Sequence, residues 1–254
     1  MNDAWECAAA AAARAGVQVR ETVSFEDVSL LLQRVWRAGH PAEVAAPGLL
    51  RTYAHSGNYV AGAYRGGTLA GAAVGFFGRD GTGTPHLHSY VAGVEPGGLG
   101  SGVGFALKQH QRAWTLARDV PEVRWTYDPL VLRNAHFNLR KLGGRAVRYL
   151  PEFYGAMADG INSGDLSDRL LLVWRLDAPE VVAAAHGTPS EVAAAGPGQV
   201  LVEIPADVEE LRASDPAAAT RWRLAVRAAM AGRLAAGWRV AGLTRDGRYL
   251  LEEP

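Results

Sequence analysis

The stretch 95-EPGGLGSGVGFALK-108 places five glycines within ten residues, immediately before a helical segment. Glycine has no Cβ, so main-chain N–H groups in such a stretch can turn toward a ligand that comes close. The first turn of a helix adds N–H groups without intrahelical partners and the positive end of the helix dipole. These features suit a phosphate or pyrophosphate group. An ordinary strand-to-helix loop is the alternative that the glycine content leaves open.

Side chains that could transfer protons occur before and after this stretch. His86, His88 and Tyr90 alternate along the strand-like segment that precedes it, and alternate residues of a strand point to the same face. His88 is therefore a candidate general base, with packing inside the strand as the alternative. Tyr154 is a second candidate catalytic residue because of its hydroxyl, with aromatic packing as the alternative.

Further polar residues are candidates for contacts to ligands. Asp128 stands before Pro129, a position that suits either a helix cap or a contact to substrate. Asn134 and Asn138 are four residues apart and would share one face of a helix, as ligand contacts or as exposed polar groups. The guanidinium of Arg169 suits a substrate carboxylate, since arginine binds carboxylates through two parallel hydrogen bonds. An internal ion pair is the alternative.

The charge composition argues against a general attraction to polyanions. The 254-residue chain has 26 basic and 26 acidic residues and a formal net charge of zero, so no overall field attracts nucleic acid or an anionic membrane. We therefore interpret Arg221, Arg223, Arg227 and Arg233 as a solvated helix face. The single cysteine, Cys7, excludes an intramolecular disulfide and a cysteine-based metal site, and we expect no metal.

The candidate residues are embedded in an alternation of strand-like and helical segments. Strand-like segments occupy residues 17–23, 58–67, 68–81, 85–94, 122–129, 145–155, 169–176, 199–205 and, as a hairpin, 238–253. The chain starts with a short alanine-rich segment that is typical of a helix. Further segments with helical periodicity occupy residues 25–38, 47–57, 103–118, 129–144 and 216–237. Gly66-Gly67 and Asp246-Gly247 indicate tight hairpin turns. This order predicts an α/β (α+β) fold with a mixed sheet.

Composition also suggests how the chain is divided. Residues 179–198 are rich in Ala, Gly, Pro and Ser, which is typical of a linker or a peripheral helix. We predict a main domain over 1–178, a linker over 179–198 and a C-terminal subdomain over 199–254, packed on the main domain because about 55 residues alone bury little core. No apolar run approaches the roughly 20 residues that cross a bilayer. Since the N-terminus also lacks the basic start of a signal peptide, we expect a cytoplasmic protein.

Several short motifs follow one another along the chain. The segment 102-GVGFAL-107 is followed by 125-WTYDPL-130, 134-NAHFN-138, 141-KLG-143, 153-FYG-155 and 168-DRLLLVW-174. Together with the order of elements, these motifs resemble the GNAT superfamily of acyl-CoA-dependent N-acyltransferases over roughly residues 17–176. The resemblance implies a mostly antiparallel sheet whose central strands splay apart and are flanked by helices, with the C-terminal subdomain as an addition.

The resemblance also implies which ligand is bound and where. Acyl-CoA would be the co-substrate, with no metal, and its pantetheine arm would lie beside the strand that ends at Val94, near Asn134 and Asn138. Its pyrophosphate would be held by the main chain of Gly100, Ser101, Gly102, Val103, Gly104 and Phe105. The sequence departs from the superfamily pattern at Leu99, where Arg or Gln is usual. It also departs at Leu139, where a tyrosine general acid is common.

These observations predict transfer of an acyl group, acetyl or a short one such as succinyl, from coenzyme A to the amine of a small molecule. An α-amine with a pKa of about 7.7–8.0 is roughly 10% neutral at pH 7, which favours an amino acid as acceptor where no acid or base stands out. A non-catalytic acyl-CoA-binding module is the alternative, motivated by Leu99 and Leu139. We expect no nucleic-acid or membrane partner; a homodimer is compatible with the sequence.

Overall fold

The computed structural model describes residues 2–157, 159–162, 164–189 and 196–254. The chain forms two compact units, the first up to Val123 and the second from Arg124 onward. The predicted C-terminal subdomain lies within the second unit, and the predicted boundaries at residues 178 and 198 stay a prediction. Residues 190–195 of the predicted linker lie outside the described residues, whereas its first part is helical.

The first unit carries an antiparallel set of strands with helices packed on it. Its strands are β1 (Gln18–Glu21), β2 (Tyr59–Arg65), β3 (Thr68–Arg79) and β4 (Pro85–Val94), each paired with the next. Its helices are α1 (Asn2–Ala15), α2 (Phe25–Trp36), α3 (Ala42–Ala45), α4 (Pro47–His55) and α5 (Val103–Leu116). The predicted turn at Gly66-Gly67 is confirmed: both residues have positive φ, 55° and 85°, which glycine adopts without strain.

The core of the first unit joins α2 and α4 to the sheet. Alternate residues of β2, β3 and β4 meet the apolar stripe of α2. The buried side chains are Phe25, Val28, Leu31, Leu32, Ala45, Leu50, Val60, Ala72, Val74 and Val91. A separate contact joins α1 to α5 through Ala4, Ala8 and Ala113. The helices approach closely there because alanine side chains are short.

Strand β4 contains an extra residue relative to its partner β3. Val74 pairs with Val91, and the next residue, Gly75, pairs with Ser89, so Tyr90 is the extra residue of β4 in this register. Such a β-bulge bends the strand and changes the direction of nearby side chains. The bulge therefore falls between His88 and the glycine-rich loop.

The second unit begins within β5 (Glu122–Tyr127). Its further strands are β6 (Arg145–Leu150), β7 (Arg169–Arg175), β8 (Gln199–Val202), β9 (Arg239–Leu243) and β10 (Tyr249–Glu252). Its helices are α6 (Leu132–Ala135), α7 (Pro179–Ala185), α8 (Val208–Ser214) and α9 (Pro216–Ala235), with a π-helical turn over His136–Lys141 after α6. Strands β8, β10 and β9 form a small antiparallel sheet. Strands β1 to β7 belong to one mostly antiparallel sheet, which confirms the predicted fold class.

The helix predicted over 129–144 is wrong in its start and in its type. The Leu130 N–H donates to Asp128 Oδ1 at 2.9 Å, so residues 128–131 form a turn and α6 begins only at Leu132. Asp128 is therefore not the cap of this helix. The π-helical turn is closed by the Leu142 N–H, which donates to Phe137 C=O, five residues back, at 3.0 Å.

Other predicted elements are shorter in the structure than in the sequence prediction. The strand predicted over 145–155 ends at Leu150, and Tyr154 lies in the turn that follows. The strand predicted over 199–205 ends at Val202. The short helices α3 and α8 had no clear periodicity, since each offers only one buried residue. Among the described residues, no helix combines the length and the apolar character needed to cross a bilayer.

Candidate functional site

The glycine-rich stretch forms a loop that ends at the N-terminus of α5, as predicted. Gly97, Gly100 and Gly102 have φ of 89°, 82° and 84°, and Gly102 is the residue before the helix. The Ala106 N–H donates to the Gly102 carbonyl at 2.9 Å, which is the first hydrogen bond of the helix. The N–H groups of the first turn, those of Val103, Gly104 and Phe105, thus have no carbonyl within the helix to bind and suit an anion.

The loop is held in shape by its own atoms. The Ser101 hydroxyl donates to the Gly98 carbonyl at 2.5 Å, and the Gly98 N–H donates to the Glu95 carbonyl at 2.8 Å. A Cβ on Gly98 would lie 2.9 Å from Val94 Cγ1 and 3.1 Å from the Glu95 carbonyl oxygen, so a side chain there would force its neighbours to move. The predicted residue Ser101 therefore supports the loop with both its hydroxyl and its N–H, which donates to the Gly98 carbonyl at 3.2 Å.

A cavity of about 330 Å³ adjoins the loop and the start of β3. Val94, Glu95, Ser101 and Val103 line it, together with Arg65 at the end of β2. The carboxylate of Glu95 is paired with Arg34 at 2.8 Å, and this hydrogen-bonded pair lowers the pKa of Glu95. The negative charge of Glu95 beside the loop is therefore balanced by Arg34.

Helix α1 also contacts this loop. A Cβ on Gly102 would lie 3.4 Å from the Cβ of Ala15, the last residue of α1. The Arg65 guanidinium donates to the Ala15 carbonyl at 3.0 Å. The C-terminal end of α1 is thus capped by a cation beside the residue that starts α5.

His88 lies on β4 opposite Phe76 of β3, with the two ring centres 5.1 Å apart. Burial, His86 and Lys108 together lower the pKa of His88 to about 4. The imidazole is therefore neutral at physiological pH and able to accept a proton, although its affinity for the proton is weak. The hydroxyl of Tyr90 donates to the Val44 carbonyl at 3.0 Å, which gives this side chain a structural contact.

A buried lysine lies on α5 behind β4. Lys108 Nζ donates to Ser89 Oγ at 2.8 Å and to Gln111 Oε1 at 3.0 Å. Burial lowers its pKa to about 7. Sequence reasoning did not identify this residue, although its place within the apolar pattern of α5, next to Leu107, was visible.

A group of buried and partly buried charges lies in the second unit, and we call it the Asp–Arg cluster. It consists of Asp128, Asp165, Asp168, Arg169, Arg212, Arg223 and Arg227. Arg223 is fully buried and binds Asp128 at 2.7 Å and Asp165 at 2.6 Å. Burial opposes ionisation of Asp128, but the hydrogen bonds and charge of Arg223, with further arginines, hold its pKa below the usual value.

The cluster corrects the interpretation of the α9 arginines as a solvated face. Arg223 is buried and Arg227 binds Asp168 at 2.6 Å, whereas Arg221 is exposed. Arg223 lies within the stripe of buried residues on α9, between Ala219 and Val226. That spacing was the signal in the sequence, but the arginine was assigned by its charge.

Two predicted site residues lie at the edge of the cluster. The Tyr154 hydroxyl is 2.9 Å from Thr126 Oγ1 on β5, and its ring lies over the Arg169 guanidinium at 5.3 Å. Tyr154 is 44% exposed, whereas Arg169 is buried. The structure thus brings Tyr154 and Arg169 together, and it places Asp128 within the ion pairs beneath them.

The two predicted asparagines lie on different kinds of helix. Asn134 belongs to α6 and is partly buried, whereas Asn138 belongs to the π-helical turn and is 4% exposed. A π turn contains more residues than an α turn, so a spacing of four no longer places two side chains directly above one another. Their role as contacts to pantetheine stays a prediction.

Comparisons with known proteins agree on the architecture. No protein-family model matches the sequence, and no curated protein matches it significantly. An N-acetyltransferase from Staphylococcus aureus Mu50 matches 63% of this chain over 99% of its own, at 14% identity and a TM-score of 0.50. A GNAT-family acetyltransferase from Streptococcus pneumoniae matches 62% over 97% of its own, at 16% identity and a TM-score of 0.48. The chain therefore has the fold of the Staphylococcus aureus N-acetyltransferase.

Proposed function

We propose that this protein transfers an acyl group from a coenzyme A thioester to the amine of a small molecule. The observation that carries the proposal is the loop before α5, where three glycines with positive φ precede the amides of Val103, Gly104 and Phe105. Main-chain donors at a helix N-terminus suit a pyrophosphate. The likeness in fold to N-acetyltransferases supports the proposal.

The proposed reaction is a direct attack of the neutral amine on the thioester carbonyl. A C–N bond forms, the C–S bond breaks, and the amine loses one proton while the departing thiolate can take one up. We propose His88 as the acceptor of the amine proton. A free thiol has a pKa near 8.5, so departure of the thiolate needs little help from an acid.

An amino acid is the acceptor that we favour. An α-amine is roughly 10% neutral at pH 7, whereas a lysine-like amine with a pKa of about 10.4 is neutral to well under 0.1%. The weak proton affinity of His88 makes this difference decisive, because the substrate must supply its own neutral form. We further propose a cytoplasmic location, with which the buried Cys7 is compatible.

The loop is tested by adding charge to it. Gly104→Asp places a carboxylate beside the proposed pyrophosphate at a position without positive φ, and Gly102→Asp does the same at the helix start. Both variants should lose at least 100-fold in affinity for coenzyme A by calorimetry. Gly81→Asp is the matched control, since a Cβ there meets open space. Wild-type affinity in a folded Gly104→Asp variant would contradict the proposal.

A binding module without turnover is the second candidate. The low pKa of His88 and the buried Leu139 favour it, because His88 is then a weak base and a leucine side chain has no proton to donate. Release of free thiol from acetyl-CoA in the presence of an amino-acid panel separates the two candidates. Binding of acetyl-CoA without thiol release for any amine would select the module.

A further inference from the structure

We propose that Arg169 binds the carboxylate of a monoanionic small molecule, and that Met157 and Tyr154 cover this site until the ligand displaces them. The inference deepens the proposed function, on which it rests for the assignment of the ligand as an acyl acceptor. The site lies within the second unit. Three observations support the site: the charge balance of the Asp–Arg cluster, the contacts of Arg169, and the exposed turn that covers Arg169.

The carboxylates of the cluster are already occupied by three of its four arginines. Arg212 and Arg223 both contact Asp128 and Asp165, with nitrogen–oxygen distances of 2.5–2.9 Å. Arg227 binds Asp168 through two hydrogen bonds of 2.9 and 2.6 Å.

The Asp168 carboxylate accepts further hydrogen bonds. The hydroxyl of Tyr149 donates to it at 2.6 Å, and the N–H of Glu152 donates at 3.0 Å. Three carboxylates therefore face four guanidinium groups, which leaves one positive charge in excess. The carboxylate of Glu152 is 3.3 Å from Arg227, but its side chain is 56% exposed, so solvent screens its charge.

Arg169 is the arginine that carries this excess charge. Its Nη1 donates to its neighbour's carbonyl, that of Asp168, at 2.8 Å, and its Nη2 contacts Asn162 Oδ1 at 3.3 Å and Met157 Sδ at 3.0 Å. Within the described part of the chain, the nearest carboxylate oxygen paired with it is Asp128 Oδ2, at 4.0 Å. The side chain is only 7% exposed, and burial lowers its pKa. A buried charge that lacks a close counter-charge is costly.

Met157 and Tyr154, which lie above Arg169, are weak partners for its guanidinium group. A thioether sulfur is a poor hydrogen-bond acceptor compared with a carboxylate oxygen. Met157 and Tyr154 both belong to the segment after β6, in which residues 151–156 are exposed. A ligand carboxylate can therefore replace Met157 at Nη2 after two side chains move, without disturbing the buried ion pairs.

The charge count also selects the class of ligand. A monocarboxylate would neutralise the single excess charge and match the planar guanidinium. A phosphate dianion would leave one negative charge in excess beside Asp128 and Asp168. The site should therefore prefer a monocarboxylate over inorganic phosphate.

Binding is measured by calorimetry with two probes that differ only in charge, N-acetylglycine and N-acetylglycinamide. The wild type should bind N-acetylglycine at least tenfold more tightly than the amide or inorganic phosphate. Arg169→Met should abolish this preference, and Met157→Ala should tighten binding several-fold because the competing sulfur is absent. Equal binding of carboxylate and amide to the wild type would overturn the proposal, as would unchanged preference in Arg169→Met.

Thermal unfolding gives a readout that separates a ligand site from a purely structural arginine. Arg169→Met removes an excess charge, so its Tm should equal or exceed that of the wild type, whereas Arg223→Met should lower it. An equal fall in both variants would contradict the charge count. Titration with coenzyme A distinguishes failure of the two proposals. If N-acetylglycine binds and coenzyme A does not, the carboxylate site stands and the proposed function fails. If coenzyme A binds and N-acetylglycine does not, the proposed function stands and the carboxylate site fails.

Discussion

Replacing Lys108 with methionine should make the stability of the protein less dependent on pH. Lys108 is 6% exposed and donates to Ser89 and Gln111. Burial lowers its pKa from 10.5 to about 7. At about 1.4 kcal/mol for each tenfold change in proton affinity, keeping the charged form in the folded protein costs about 5 kcal/mol.

The direction of the effect follows from proton binding. Between pH 7 and 10.5 the unfolded chain keeps the proton on Lys108 while the folded chain releases it, so the free energy of unfolding rises with pH. The rise from this one group is about 1.4 kcal/mol per pH unit in that window. Lys108→Met should lack it, so the stability advantage of the variant is largest near pH 7 and shrinks as pH increases.

The measurement is urea unfolding of wild type and variant at pH 7.5, 8.5 and 9.5. The difference between their unfolding free energies should change by about 3 kcal/mol over these two pH units. Lys141, the other lysine of the chain, is exposed, and Lys141→Met is the matched control. Unfolding curves of Lys108→Met that run parallel to the wild type across this range would refute the reasoning.

Three other results are expected. Gly98→Ala should weaken coenzyme A binding in calorimetry more than Gly100→Ala, because the new Cβ would come within 2.9 Å of a neighbouring valine. In Gly100→Ala the new Cβ meets open space, and the variant should lose about 1 kcal/mol of stability because residue 100 has a positive φ. Arg223→Met should lower the unfolding free energy by about 3–5 kcal/mol because buried carboxylates lose their partner, whereas the exposed Arg221→Met should be neutral in the same urea titration. His88→Ala should lower kcat by about 100-fold. After correction for the neutral fraction of the amine, neither protein should show an imidazole titration near pH 6.5, since the pKa of His88 is about 4; full activity of the variant would remove His88 from the mechanism.

The sequence predicts best where local chemistry decides the structure. The hairpin at Gly66-Gly67 and the loop before α5 follow from glycine conformations, and β4 begins and ends at the predicted residues, Pro85 and Val94. Helix α9 also begins at Pro216, as its periodicity indicates. Each of these features depends on residues that are neighbours in the chain.

The sequence predicts poorly where distant residues decide. Arg223 looks like a surface residue until Asp128 and Asp165, 95 and 58 residues away, are brought to it. Lys108 likewise lies buried where it contacts Ser89, a residue of strand β4. The charge excess at Arg169 is visible only when every partner in the cluster is known. Tertiary pairing, which periodicity does not encode, determined these positions.

The π-helical turn at residues 136–141 has a consequence for how related chains are compared. A π turn is an α-helix that has gained one residue, so the side chain that covers a given point on the helix surface shifts by one position beyond it. Counting back three residues from Leu142 reaches Leu139 in the chain, but that count assumes an uninterrupted α-helix. A chain with an uninterrupted α-helix here would align with a one-residue gap, and the position predicted for the general acid would then fall on a neighbour of Leu139, such as Asn138.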